Sequence, residues 1–121
     1  RQKAIQNIMF ANSTMHPAYG KLFFIGQNIS DEDAKNIAFT AAAENINQLW
    51  QVIENKLDGE TFLGGNTPSA ADIMLAVYSR WGAHHPVDIV FGDKTTKLLN
   101  AVQAMPNFKK ADEAEHAVSA K

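Results

Sequence analysis

The chain has no cysteine among its 121 residues. A disulfide framework, a thiolate-held metal and a cysteine nucleophile are therefore excluded within it. It also lacks a charge excess: 11 basic against 13 acidic residues leave a formal net charge of −2. That gives no electrostatic footprint for nucleic acid or for an anionic membrane surface. No apolar run approaches the roughly 18 residues a membrane-spanning helix needs, and no charged-then-apolar leader opens the chain. With Arg1 rather than methionine in first place, the sequence reads as a soluble piece of something longer. No glycine-rich phosphate loop is present, because Gly64-Gly65 lacks the further glycines and the lysine such a loop requires. What remains is ordinary globular material, 45% hydrophobic and 20% charged, and a single domain of this length buries roughly two-thirds of its unfolded surface.

The strongest local signal is Asn66-Thr67-Pro68-Ser69-Ala70-Ala71-Asp72-Ile73-Met74-Leu75-Ala76-Val77-Tyr78. Ser69 has the character of an N-cap, and Asp72 three residues later reaches back to its N–H while facing the positive end of the helix dipole. The apolar run behind this box predicts a buried helix from Ser69 to about residue 81. Loss of such a cap typically costs on the order of 1 kcal/mol, so Ser69 and Asp72 are assigned to folding.

The other segments are also helical in pattern. Residues 1–13 place Ile5, Ile8, Met9 and Phe10 at helical spacing, with Gln2, Lys3, Gln6 and Asn7 on the opposite side. A kink or break is expected at His16-Pro17, followed by a second run through Tyr19, Leu22, Phe23 and Ile25, with Gly26 as its left-handed end. Ser30-Asp31-Glu32-Asp33 repeats the start signal, with Ser30 as the cap. Behind it Ile37, Ala38, Ala41, Ala42, Ile46, Leu49, Trp50, Ile53 and Leu57 predict one apolar stripe. Phe62 and Leu63 read as a folded connection tucked on the core. Val87 to Phe91 has strand-like composition but no second strand to pair with, so a loop with a helical turn is expected. Residues 95–104 form another helix, and a short one from Pro106 turns Phe108 and Ala111 inward before a solvated acidic end, Asp112-Glu113-Ala114-Glu115. The fold class is all-α: a bundle of five to six helices around a buried central helix.

Few residues have the character of a reactive site. His84 and His85 are adjacent and point apart on a helix, and neither stands in a ligand motif, so no metal site is expected. Asp31, Glu32 and Asp33 serve a helix start rather than acid/base chemistry. His16 is the candidate for chemistry, as a donor or acceptor near neutral pH; its plain alternative is a polar residue satisfying the backbone at a proline kink. Phe10, Ser13 and Tyr19 suit the wall of an apolar pocket, with core packing as the even alternative, while Trp81 weighs toward the core.

The order of these signals resembles the C-terminal domain of cytosolic glutathione transferases. Gly64-Gly65-Asn66-Thr67-Pro68-Ser69-Ala70-Ala71-Asp72-Ile73 matches the family's capped buried helix, after Phe62-Leu63 and a long acid-started helix, and before the break at Met105-Pro106. Phe10 to Phe23 looks like the first helix of bacterial, beta-like members, in which a histidine faces the glutathione sulfur or the electrophile pocket; His16 stands at that position, and Met9 where those enzymes carry an asparagine. The resemblance implies a domain of residues 1–121 that walls the substrate pocket of a cytoplasmic enzyme and is inactive alone. Its partners would be a thioredoxin-like N-terminal domain, a second subunit and a small apolar electrophile, with no nucleic acid and no membrane. Glutathione would be the co-substrate of the intact protein, with no cofactor bound by this domain alone. The rival reading is a non-catalytic transferase-like domain kept for protein docking.

Overall fold

A computed structural model describes residues 2–110. Five α-helices account for most of them: α1 (Gln2–Phe10), α2 (His16–Asn28), α3 (Glu32–Lys56), α4 (Ala70–Ser79) and α5 (Asp93–Gln103). A π-helical turn, Ala11–Met15, joins α1 to α2, and a 3₁₀ turn, Trp81–His84, follows α4. Residues 106–110 are helical again. No strand occurs among the described residues, the nearest approach being an isolated antiparallel bridge between Phe62 and Gly65. The all-helical expectation therefore holds. Ala111 and the acidic stretch behind it lie outside the described residues.

The first arm is not broken at Pro17. Proline has no N–H to give, so a continuing α-helix would leave a carbonyl one turn upstream unpaired. The π turn absorbs this defect: the His16 N–H donates to the Ala11 carbonyl, five residues back, and Pro17 then sits in the first turn of α2. Ala11 and Met15 lie on one buried line with Asn7, Ala18, Leu22 and Ile25, at the three- and four-residue spacing of a single helical face. That line corrects the expected orientation of α1. Asn7 faces inward at 6% exposure, whereas Ile5 and Met9 are 51% and 59% exposed. Gly26 does not end its helix either; α2 runs to Asn28, and the left-handed glycines are Gly59 and Gly65.

α2 and α3 form an antiparallel hairpin. The cap of α3 is Asp31, whose Oδ2 accepts from the Ala34 N–H at 2.8 Å, so Ser30, the expected cap, lies one residue outside it. The carboxylate is the better partner at the positive end of the dipole, and Glu32 and Asp33 already occupy the first turn. The buried seam of α3 is Phe39, Ala42, Ala43, Ile46, Trp50 and Ile53. Ile37 is 72% exposed and off that seam. Nine residues, about two and a half turns, separate it from Ile46, which puts the two on opposite sides.

α4 is the central helix, packed by α1, the π turn, α5 and the 3₁₀ turn. Ala71, Leu75 and Ala76 have no exposed surface, while Ile73 remains 40% exposed. Ser69 and Asp72 form the capping box. The fully buried Asp72 carboxylate accepts from the Ser69 N–H (2.7 Å) and Oγ (2.8 Å) through one oxygen and from the Leu63 N–H (2.9 Å) through the other. One side chain thus starts the helix and fixes the Phe62-Leu63 connection beneath it, with Phe62 in the core.

α5 is capped by a distant residue. Glu54 on α3 accepts from the Thr95 N–H and Oγ1, both at 2.8 Å, and from the Lys94 N–H at 3.1 Å. Gly92 makes the approach possible, since a Cβ there would fall 2.3 Å from Glu54 Oε1. Residues 87–92, between the 3₁₀ turn and α5, have no regular structure, and their backbone finds a side chain in place of a strand. The Asn47 amide donates to the Asp88 carbonyl at 3.0 Å and accepts from the Val90 N–H at 2.7 Å.

Candidate functional site

Three aromatic side chains from three elements meet at one surface. His16 opens α2, Tyr78 is near the end of α4, and Trp81 begins the 3₁₀ turn. Their ring centroids lie 5.3 Å apart for His16–Tyr78, 5.4 Å for His16–Trp81 and 4.9 Å for Tyr78–Trp81, all tilted or edge-on, the arrangement aromatic quadrupoles favour. His16 is exposed, Trp81 half-buried and Tyr78 buried. Burial raises the Tyr78 hydroxyl above its ordinary value, so at neutral pH it is a protonated group able to donate a hydrogen bond.

Local sequence explains each placement. The π turn sets the rotation at which His16 leaves the first arm. The capping box fixes where α4 starts, and hence where Tyr78 emerges nine residues later. Gly82 lets the 3₁₀ turn lie flat, because a Cβ there would stand 3.0 Å from Ile89 Cγ1 and 3.7 Å from Tyr19 Cε1. Beneath Trp81 the packing continues inward, through Tyr19 at 6.4 Å and Phe23 at 5.9 Å, both edge-on.

Of the residues weighed for a pocket wall, His16 belongs to this trio, and so does Trp81, whose expected role weighed toward the core. Tyr19 is a correction: it has no exposed surface, and its hydroxyl accepts from Trp50 Nε1 at 2.8 Å inside the core. Burial pushes its pKa up, against the smaller downward pull of the Trp50 bond. Phe10 lies elsewhere, half-buried with the Lys56 ammonium 4.6 Å over its ring. Ser13 is exposed on the π turn, with no ring contact to the trio. Tyr78 and Trp81 were legible as a pair three residues apart at the end of a capped helix, but not as neighbours of His16, since that contact is tertiary.

No group of three His, Asp or Glu side chains among the described residues is placed to hold a metal ion. No described helix is long and apolar enough to cross a membrane. A cleft of about 420 Å³ lies away from the trio, between α3 and residues 86–88. The chemistry available at the trio is that of mutually tilted aromatic rings with polar tips: apolar contact area, an imidazole and a phenol to hydrogen-bond what rests on it.

The architecture places the chain among all-helical domains built on a box-capped central helix. Residues 14–110 match the family described as glutathione S-transferase, C-terminal domain, and the chain belongs to that family. It is 27% identical over 82 residues to glutathione S-transferase GST-4.5 of Xanthomonas campestris pv. campestris, covering 68% of this chain and 40% of that protein. Its structure is similar to that of a glutathione-S-transferase from Xylella fastidiosa, with a TM-score of 0.82 and 27% identity over 96% of this chain and 56% of that one. The chain thus spans about half the length of these relatives.

Proposed function

We propose that this domain is the helical half of a glutathione transferase and that the His16–Tyr78–Trp81 face is one wall of its pocket for an apolar electrophile. The observation that carries the proposal is the convergence of three aromatic groups from separate elements on one surface, with His16 exposed. Glutathione is the co-substrate, held and activated by a thioredoxin-like domain outside this chain, so the domain alone is inactive. Within that enzyme Trp81 and Tyr78 supply contact area, and His16 hydrogen-bonds the electrophile or the thiol beside it. The similarity to transferases over most of the chain supports this reading above that of a docking domain without catalysis. The exposed Ile5, Ile8 and Met9 on α1 are the apolar area we assign to contacts with the rest of a cytoplasmic homodimer.

The test is steady-state kinetics of the intact protein with glutathione and an apolar halogenated aromatic. Truncating Trp81 to alanine removes about 1–2 kcal/mol of apolar contact, so KM for the electrophile should rise roughly five- to thirty-fold. His16→Ala should lower kcat or raise the same KM, and KM for glutathione should stay near wild type in both. Unchanged electrophile kinetics in both variants would overturn the assignment.

A further inference from the structure

His85, directly after the 3₁₀ turn, has a role that the wall itself does not explain. Its ring stands edge-on to Phe23 at 4.7 Å and tilted on Phe39 at 5.9 Å. On the α2 side the ring lies against Gly26, where a Cβ would stand in ordinary contact with Nδ1 at 3.9 Å. Nε2 is closed off from solvent and has no hydrogen-bond partner among the described residues. The backbone of His85 closes the turn at both ends: its N–H donates to the Gly82 carbonyl at 3.2 Å, and its carbonyl accepts from the Val87 N–H at 2.8 Å.

The surroundings are hostile to a charged imidazole. The groups that face the ring are Phe23 and Gly26 from α2 and Phe39 from α3, none of them titratable, and from its own segment His84, a like charge when protonated. A second proton on the seated ring would leave a cationic N–H without water or acceptor, which low-dielectric packing penalises far more than an unpaired neutral nitrogen. Protonation and seating therefore oppose each other. Burial first, and His84 second, hold the His85 pKa below the ordinary histidine value. Phe23 joins this seat to the wall, since it packs on His85 on one side and on Trp81, at 5.9 Å, on the other.

We propose that His85 is a positioning residue for the aromatic wall: its neutral ring, wedged between Phe23 and Phe39, holds the Trp81–His84 turn, and protonation on acidification releases the ring and loosens Trp81. The structural coupling stands on packing alone, while its consequence for substrate binding rests on reading the trio as the pocket wall. A depressed histidine pKa means that the seated state is fully favoured above the unfolded value of about 6.5 and loses ground as pH falls below it.

The coupling is read from the Trp81 indole N–H peak in ¹H–¹⁵N spectra of the intact protein, assigned by its loss in Trp81→Phe. His16 also touches Trp81, so the titration is run in a His16→Gln background. The peak should shift with a midpoint below about 6.5. His84→Gln should raise that midpoint, because a repelling charge is gone, and His85→Phe and His85→Gln should each abolish the shift. A peak that does not move, or one that titrates unchanged in both His85 variants, would overturn the proposal. Electrophile KM separates the two readings: a pH-dependent rise that His85→Phe removes supports both, whereas an indole transition with flat KM keeps the coupling and removes the trio from the pocket.

Discussion

At the scale of single residues, Asp72 ties the start of the central helix to the connection before it. It is fully buried and accepts three hydrogen bonds, two of them from Ser69 and one from Leu63. Replacing it by alanine takes the acceptor from three part-buried donors, so Asp72→Ala should destabilise the protein by roughly 1–3 kcal/mol in chemical denaturation. Apolar-ligand affinity of the molecules that remain folded should change little. Equal stability of mutant and wild type would show that the box is ornamental. The spacing of Ser69 and Asp72 was legible because a capping box is local, closed within four residues. The third bond, from the Leu63 N–H, was not, because it depends on how the 59–65 turn folds back. Ser30 and Asp31 show the limit from the other side. Both are good caps and adjacent, and the local pattern does not choose between them; the start of α3 at Glu32, set by its packing on α2, makes Asp31 the cap.

At the scale of elements, helices hold one another by side chains that act as missing backbone. Glu54 caps α5 across the bundle, and Asn47 stands in for the strand that residues 87–91 lack. Burial raises the Glu54 carboxyl, but the hydrogen bonds from Thr95 and Lys94 and the Lys94 charge outweigh it, leaving the group below its ordinary value of 4.5. A carboxyl held low stabilises fully above its unfolded pKa and loses that contribution as pH falls through the folded one. The stability gap between wild type and Glu54→Gln should therefore be constant near neutrality and close progressively below about pH 4.5, as measured by denaturation at a series of pH values. A gap that does not depend on pH would mean that the charge contributes nothing. The helices themselves were readable from apolar period and start signals, but their rotation was less so. α1 is apolar on the side it turns outward, because its inward line is set by continuity with Ala11 and Met15 across the π turn.

At the scale of the whole molecule, Ile5, Ile8 and Met9 are three of the large apolar side chains left exposed, and they share α1, the helix proposed above for contacts with further protein. Ile5 and Met9 are both more than half exposed on α1. Ile5→Ser with Met9→Ser should weaken subunit association of the intact protein, seen as a lower dimer fraction in sedimentation at fixed concentration, while the helical far-UV signal is retained. A dimer of unchanged affinity would locate the interface elsewhere. The sequence by itself determined the all-helical class, the central helix with its Ser69–Asp72 start and the family, because periodicity and capping are encoded within a few turns of chain. Only the tertiary structure decided which face of α1 is buried, that Tyr19 is core and not wall, and that His16 meets Tyr78 and Trp81. Those depend on helix rotation and on contacts between residues some 60 positions apart, which no local pattern specifies.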